Sequence, residues 1–214
     1  MRIIDLGLLE YQKSLQFMND THEKVSNKKE KNTLLIVEHP PTVTMGNREL
    51  SGDMLYSQKE LKFKGIQYVK IDRGGSATVH EPGQIVVYPI LHLENISVKN
   101  YVAALEEAVI QTCKSFQIHS QRDCINPGVW VGENKIAAIG IRVSNKVTKH
   151  GLAFNVTNTL ETFRTIIPCG LKNRGVTSLQ KELPNTHINK EEVKQKIIIN
   201  LQEQLSAIFY SSDL

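Results

Sequence analysis

The chain has 214 residues, with 26 Lys plus Arg against 22 Asp plus Glu and a formal net charge of +4. That size suits one compact domain over 1–214, or at most one with a small appendage, with a substantial buried core, and the charge is too mild to argue for a nucleic-acid partner. Three cysteines exclude a fully paired disulfide framework and point to a reducing compartment, and no run approaches the roughly 18 apolar residues that suggest a membrane span.

The opening "MRIIDLGLLEYQ" is broken by Asp5 and reads as a first strand instead of a signal peptide, so a cytoplasmic protein is expected. Tyr11, Leu15 and Met18 then recur at helical spacing, predicting one surface helix within 10–30. "NTLLIVEHPP" gives a central strand, Leu34 to Val37, which two prolines end. Residues 47–65 are mixed and polar, with room for a short helix. "IQYVKIDRGG" supplies an alternating strand opening into a double glycine, and "QIVVYPIL" supplies another. Val102, Leu105, Val109, Cys113 and Phe116 mark the clearest helix, Val98 to Phe116, and Cys113 belongs to its apolar stripe. From Gly128 to Val156 the chain reads as consecutive strands, with "GEN" a tight turn in which Glu133 and Asn134 are expected to take the left-handed geometry. Val193, Ile197, Ile198, Leu201, Leu205 and Ile208 predict a final amphipathic helix. Strands in clusters, with helices between and after, define an α+β domain.

"DRGGSATVHEPGQ", residues 72–84, is the strongest local signal. Its glycines permit close backbone approach, Arg73 suits a carboxylate or phosphate, and Thr78 and His80 offer donors; the same composition also suits a plain turn between two strands. No dinucleotide or phosphate-loop fingerprint is present. His39, His80, His92, His119 and His150 are scattered singly, so no metal site is expected. Cys124 in "QRDCINPG" has no neighbouring base and reads as inert.

"IIPCG" places Cys169 between a proline and a glycine, where a thiol serves equally as core filler or as a nucleophile at a pocket mouth. A free thiol is only slightly ionised at neutral pH and needs a cationic neighbour to react efficiently. Lys135, opening "KIAAIGIRV", is one candidate, since its stem can cross apolar surface and place the ammonium in a cleft. Taken alone it reads as a hairpin-edge lysine.

Together, "RGGSATVHEPGQ", "NPGVWVGENKIAAIGIR", "HGLAFNV" and "IIPCG" resemble, in order and spacing, the motifs of the lipoyl(octanoyl) transferase family. The resemblance runs from about residue 35 to about 180. It implies a mixed sheet flanked by helices, similar to the catalytic domains of biotin protein ligases and lipoate-protein ligases. It further implies transfer of an octanoyl group from octanoyl-acyl carrier protein to a specific lysine on the lipoyl domains of 2-oxoacid dehydrogenases and on glycine-cleavage H protein. The resemblance puts the nucleophile at Cys169 and the lysine that lowers its pKa at Lys135. Substrate binding falls on Arg73, Gly74, Gly75, Ser76, Ala77, Thr78, Val79 and His80, on Ala138, Ile139 and Gly140, and on Gly151, Leu152 and Ala153. A monomer without cofactor or metal is implied. Glu81 departs from the family, which often has glycine there, and is expected to add a carboxylate beside the pocket. The rival readings are an ATP-dependent lipoate-protein ligase, which would not need Cys169, an amidotransferase working between protein domains, and a non-catalytic module that binds lipoyl domains.

Overall fold

The computed structural model describes residues 1–48, 52–123, 126–167 and 174–210. Cys124 and Cys169 lie outside these described residues, as do Pro168 and Gly170.

The first half of the chain forms β1 (Arg2–Leu8), α1 (Tyr11–Ser26), β2 (Thr33–Glu38), β3 (Thr42–Met45), α2 (Gln58–Phe63), β4 (Gln67–Lys70), β5 (Ala77–His80), β6 (Gln84–Ile90) and α3 (Val98–Ser115). The second half forms β7 (Gln121–Arg122), β8 (Gly128–Val131), β9 (Asn134–Ser144), β10 (Val147–Asn155), a 3-10 turn (Thr162–Thr165), β11 (Gly175–Val176), α4 (Leu179–Glu182) and α5 (Lys190–Tyr210). The large sheet runs β1-β2-β6-β10-β9-β8-β7, with β11 pairing parallel to β9, and a small sheet runs β4-β3-β5.

The apolar runs in β2 and β6 reflect burial on both faces. Alternation sends Leu34, Ile36, Ile85 and Val87 to a cluster with Leu105, Val109 and Cys113 of α3 and Ile197 and Leu201 of α5. Leu35, Val37, Val86, Tyr88 and Ile90 face the other way, against Met18 and Val25 of α1. Each such large side chain contributes roughly 1.5–3 kcal/mol of gross burial free energy. Cys113 is fully buried, and burial pushes its thiol up to about 12, so it acts as a small hydrophobe. Ser97 caps α3 by accepting from Asn100 N at 3.1 Å.

In the small sheet, β4 is the alternating strand expected from "IQYVKIDRGG", whereas β3 and β5 were not legible. Pro40 and Pro41 do end β2, but the chain turns and begins β3 at Thr42. β5 forms inside the glycine-rich stretch read as a possible turn, and Val43 and Val79 sit opposite one another across the pair. Their side chains close a third cluster with Met45, Leu61, Phe163 and Ile166. The β8–β9 turn also corrects the reading of "GEN". Gly132 takes the positive φ of +53°, Glu133 and Asn134 do not, and Asn134 already pairs with Val131. At the β9–β10 turn Asn145 and Lys146 both take positive φ, the mirror-image geometry that matches strand twist. Among the described residues no helix is long and apolar enough to cross a membrane.

Candidate active site

A cavity of about 610 Å³ opens between β6, β9 and β10, the 73–78 stretch that enters β5, and Tyr11 at the start of α1. Arg73, Gly74, Gly75, Ser76, Ala77, Thr78 and His80 line one wall. Ala138, Ile139 and Gly140 of β9 and Gly151, Leu152 and Ala153 of β10 line another, and Lys135 joins them. Val79 is placed elsewhere: strand alternation turns it away from the cavity into the cluster beneath the small sheet.

Two glycines are fixed by close approach. A Cβ on Gly151 would stand 2.1 Å from Val87 O and 2.6 Å from Pro89 Cδ, so only glycine lets β10 lie this close to β6. A Cβ on Gly140 would meet Arg73 Cδ at 2.8 Å. Arg73 crosses that gap and is buried, donating to Thr44 O and Thr44 Oγ1 at 3.0 Å each and to Gly74 O at 2.9 Å. Its guanidinium therefore ties the 73–75 stretch to β3.

Lys135 is buried, with 7% exposure, and so is not a solvent-facing hairpin-edge lysine. Val129 faces Ala137 whereas Trp130 faces Lys135, so β9 carries one extra residue, a bulge that re-aims the side chain. The stem passes beside Gly128, where a Cβ would stand 3.3 Å from Lys135 Cε. The ammonium donates to Pro127 O at 3.2 Å and lies 4.8 Å from the Trp130 ring centre. Glu106 on α3 accepts from Gly128 N at 2.9 Å, and burial raises its carboxyl despite the pull of that bond and of the Arg122 and Lys135 charges. After the undescribed stretch 168–173 the chain returns at Arg174, which stacks 3.6 Å from the Trp130 ring centre and pairs with Asp123 and, at 3.1 Å, with Glu133. Gly175 and Val176 then pair with Asn134 and Lys135. Upstream, Ile167 N donates to Asp53 O at 2.8 Å, and the Asp53 carboxylate accepts from Ser76 on the cavity wall.

A cluster of rings, of which the sequence nominates only His80 for the site, closes part of the cavity. Tyr11 packs on both His39 and His80, with ring centres 4.8 and 5.4 Å away, and Tyr88 meets His150 edge-on at 6.4 Å. His39 Nδ1–H donates to Leu9 O at 2.8 Å, so its Nε2 accepts from the Tyr88 hydroxyl at 2.9 Å. Burial lowers His39 to about 4. Burial, reinforced by the His39 charge, lowers His80 well below the usual imidazole range, and its Nδ1 pairs with Gln84 at 2.8 Å. His150 lies mid-strand at φ +59°, a strained value for a side-chain-bearing residue, and its Nε2 donates to Asp72 at 2.7 Å. Burial lowers His150 to about 4 against the pull of that carboxylate. Asp72, pushed up by partial burial, is brought down to about 2 by hydrogen bonds from His150 and Lys149 and by their charges. At neutral pH the pair is thus a carboxylate accepting from a neutral ring. No spacing rule links residues 11, 39, 80, 88 and 150, so no signal in the sequence could have gathered them. Among the described residues, no group of three or more His, Cys, Asp or Glu is arranged to hold a metal ion.

Glu81 does not line the cavity. It is buried, and its oxygens accept from Leu160 N at 2.7 Å, Asn158 Nδ2 at 3.0 Å and Thr162 N at 3.2 Å. The added carboxylate therefore holds the 158–162 loop that leads through the 3-10 turn to Ile167.

A mixed sheet with helices packed on its faces is the fold of solved lipoate-protein ligases and biotin protein ligases. The chain belongs to the lipoyl protein ligase A/B catalytic domain family, whose model matches residues 10–202. It is similar to an octanoyltransferase of Alkaliphilus metalliredigens, at 42% identity over 186 residues, covering 86% of this chain and 85% of that relative. In fold it is similar to a bipartite lipoate protein ligase of Thermoplasma acidophilum, with a TM-score of 0.75 at 16% identity, covering 96% of this chain and 83% of the other. The biotin protein ligase of Aquifex aeolicus, solved with biotin and ATP, shares the fold less closely, with a TM-score of 0.58 at 16% identity over 96% of this chain and 70% of the other. The α+β architecture expected from the sequence is the one found.

Proposed function

We propose that the chain is an octanoyltransferase of protein lipoylation working through a thioester on Cys169. The donor is octanoyl-acyl carrier protein. The acceptor is the ε-amine of a specific lysine on the lipoyl domains of 2-oxoacid dehydrogenases or on glycine-cleavage H protein. The enzyme acts as one catalytic domain over 1–214, a monomer in the cytoplasm, with no cofactor or metal.

The observation that carries this reading is Lys135. Its ammonium is buried on the wall of an apolar, glycine-lined cavity, and its strand pairs with the residues that follow the Cys169 stretch. A buried cation favours the thiolate of a nearby cysteine. The thiolate sulfur bonds to the octanoyl carbonyl carbon, the carbon–sulfur bond to the carrier breaks, and the carrier thiol leaves with a proton from Lys135. The acyl-enzyme is again a thioester, so the acyl group stays activated without ATP. The acceptor arrives as an ammonium and gives one proton to the Lys135 amine. It attacks the carbonyl carbon, and the Cys169 carbon–sulfur bond breaks as the second proton leaves to water, giving the amide. Burial of an eight-carbon chain, at about 0.8 kcal/mol per methylene, supplies several kcal/mol of gross affinity in the cavity.

The test is transfer of octanoyl from carrier to a lipoyl domain by the purified protein in the absence of nucleotide. Transfer without ATP is the expected result. Transfer appearing only with ATP and free acid would move the protein to the ligases.

A further inference from the structure

The face around α2 has no part in the site described above. α2 reads QKELKF, with Lys64 next, and Leu61 anchors it to the cluster beneath the small sheet. Its outer side is unusual: Phe63 is 93% exposed and Leu55, three residues ahead of the helix, is 55% exposed. Lys59, Lys62 and Lys64 are exposed around them, and all three line an open groove with Tyr56, Glu60 and Phe63. The one acid on the helix, Glu60, is turned back to cap it, accepting from Ser57 N at 2.8 Å and Ser57 Oγ at 2.7 Å. An exposed aromatic residue ringed by cations is the pattern of an interaction surface for an acidic protein.

Its place in the fold sets what that protein does. Leu55 N donates to Thr165 O at 3.0 Å and Met54 bridges Ile166, so this face is stitched to the chain that reaches Ile167, two residues ahead of Cys169. None of Leu55, Lys59, Lys62 and Phe63 lines the cavity. A lysine acceptor reaches only the length of its own stem, so its protein must sit over the cavity mouth. An acyl group carried on a long pantetheine arm can enter the cavity while its protein is docked to one side.

We propose that the Leu55–Phe63 face with Lys59, Lys62 and Lys64 docks the acidic carrier protein that delivers the acyl thioester, which deepens the proposed function and rests on it. Association is then salt-sensitive through the lysines and anchored by Phe63.

The test uses the full chain, Phe63→Ser, and the pair Lys59→Glu with Lys62→Glu, substitutions at exposed positions that leave folding intact. One arm measures binding, by fluorescence anisotropy, of acyl carrier protein whose octanoyl group is joined to pantetheine by an amide that cannot transfer. The other measures acyl transfer from octanoyl-pantetheine, a donor with no protein. Each variant is expected to weaken carrier binding by roughly tenfold or more, and the lysine pair to flatten its salt dependence, with transfer from octanoyl-pantetheine unchanged. Unchanged carrier affinity would overturn the proposal. So would weakened binding of the lipoyl domain in place of the carrier, or loss of a homodimer on Phe63→Ser. A wild-type protein that binds carrier but forms no acyl-enzyme from either donor would overturn the proposed function and leave the binding comparison to judge the surface.

Discussion

Lowering the pH from 7.5 to 4.5 should destabilise the protein through its buried imidazoles. His39 and His150 are held at about 4, against 6.5 for a free ring, because burial penalises their charged forms. Between those limits the unfolded chain binds more protons than the folded one, so this stability is complete above about 6.5 and is lost as pH falls toward 4. At 1.36 kcal/mol per pH unit for each proton, each ring accounts for about 3 kcal/mol by pH 4. Two rings together approach the whole stability of about 5–15 kcal/mol typical of a domain, and His80 adds in the same direction. Asp72, with a folded value of about 2, loses its contribution only below its ordinary 3.8, so the loss between 6.5 and 4 belongs to the histidines. Urea unfolding at a series of pH values should show the free energy falling with a slope of about 3–4 kcal/mol per pH unit near pH 5 for the three rings together. His39→Gln should start lower at pH 7.5 by about 1–3 kcal/mol, for its lost bonds to Leu9 and Tyr88, and show a slope shallower by about 1.4. Stability that is flat between pH 7 and 5, or a slope unchanged in the variant, would show that the buried rings do not set the acid response.

Gly151→Ala should cost about 3 kcal/mol in denaturant unfolding, the upper end for overpacking, because the new methyl meets the backbone carbonyl of Val87 and not a movable side chain. Gly74→Ala, whose methyl would come no nearer than 3.4 Å to Ile141 O, should be close to neutral in the same assay. Glu81→Ala strands the donors on Asn158, Leu160 and Thr162 and should lower stability by about 3 kcal/mol or more. In a chain of this length that is a fall of roughly 6–12 °C in melting temperature, with Glu81→Gln losing less.

The long elements were legible because their periodicity is local. β2, β6, α3 and α5 each bury a face that the sequence writes at intervals of two or of three to four residues. In the small sheet β4 was legible from its alternation, whereas β3, directly behind two prolines, and β5, inside the glycine-rich stretch, escaped because their pairing depends on Leu61, Phe163 and Ile166 closing over them from distant parts of the chain. Lys135 was nominated by its apolar strand, yet its burial depends on a bulge and on Gly128, which pattern alone does not reveal. Its position next to His80 puts Glu81 beside the pocket in sequence, but the end of β5 delivers it to a loop about eighty residues on. Tyr11, His39 and Tyr88 went unnominated because each looks like an ordinary core residue until β2, β6 and α1 converge.

The thioester at Cys169 is tested by intact mass after mixing the protein with octanoyl-acyl carrier protein and no nucleotide, beside Cys169→Ala. The expected result is the gain of one octanoyl group, removed by hydroxylamine and absent from the variant. An adduct that persists in Cys169→Ala, or a wild-type protein that transfers octanoyl with no adduct at Cys169, would contradict it.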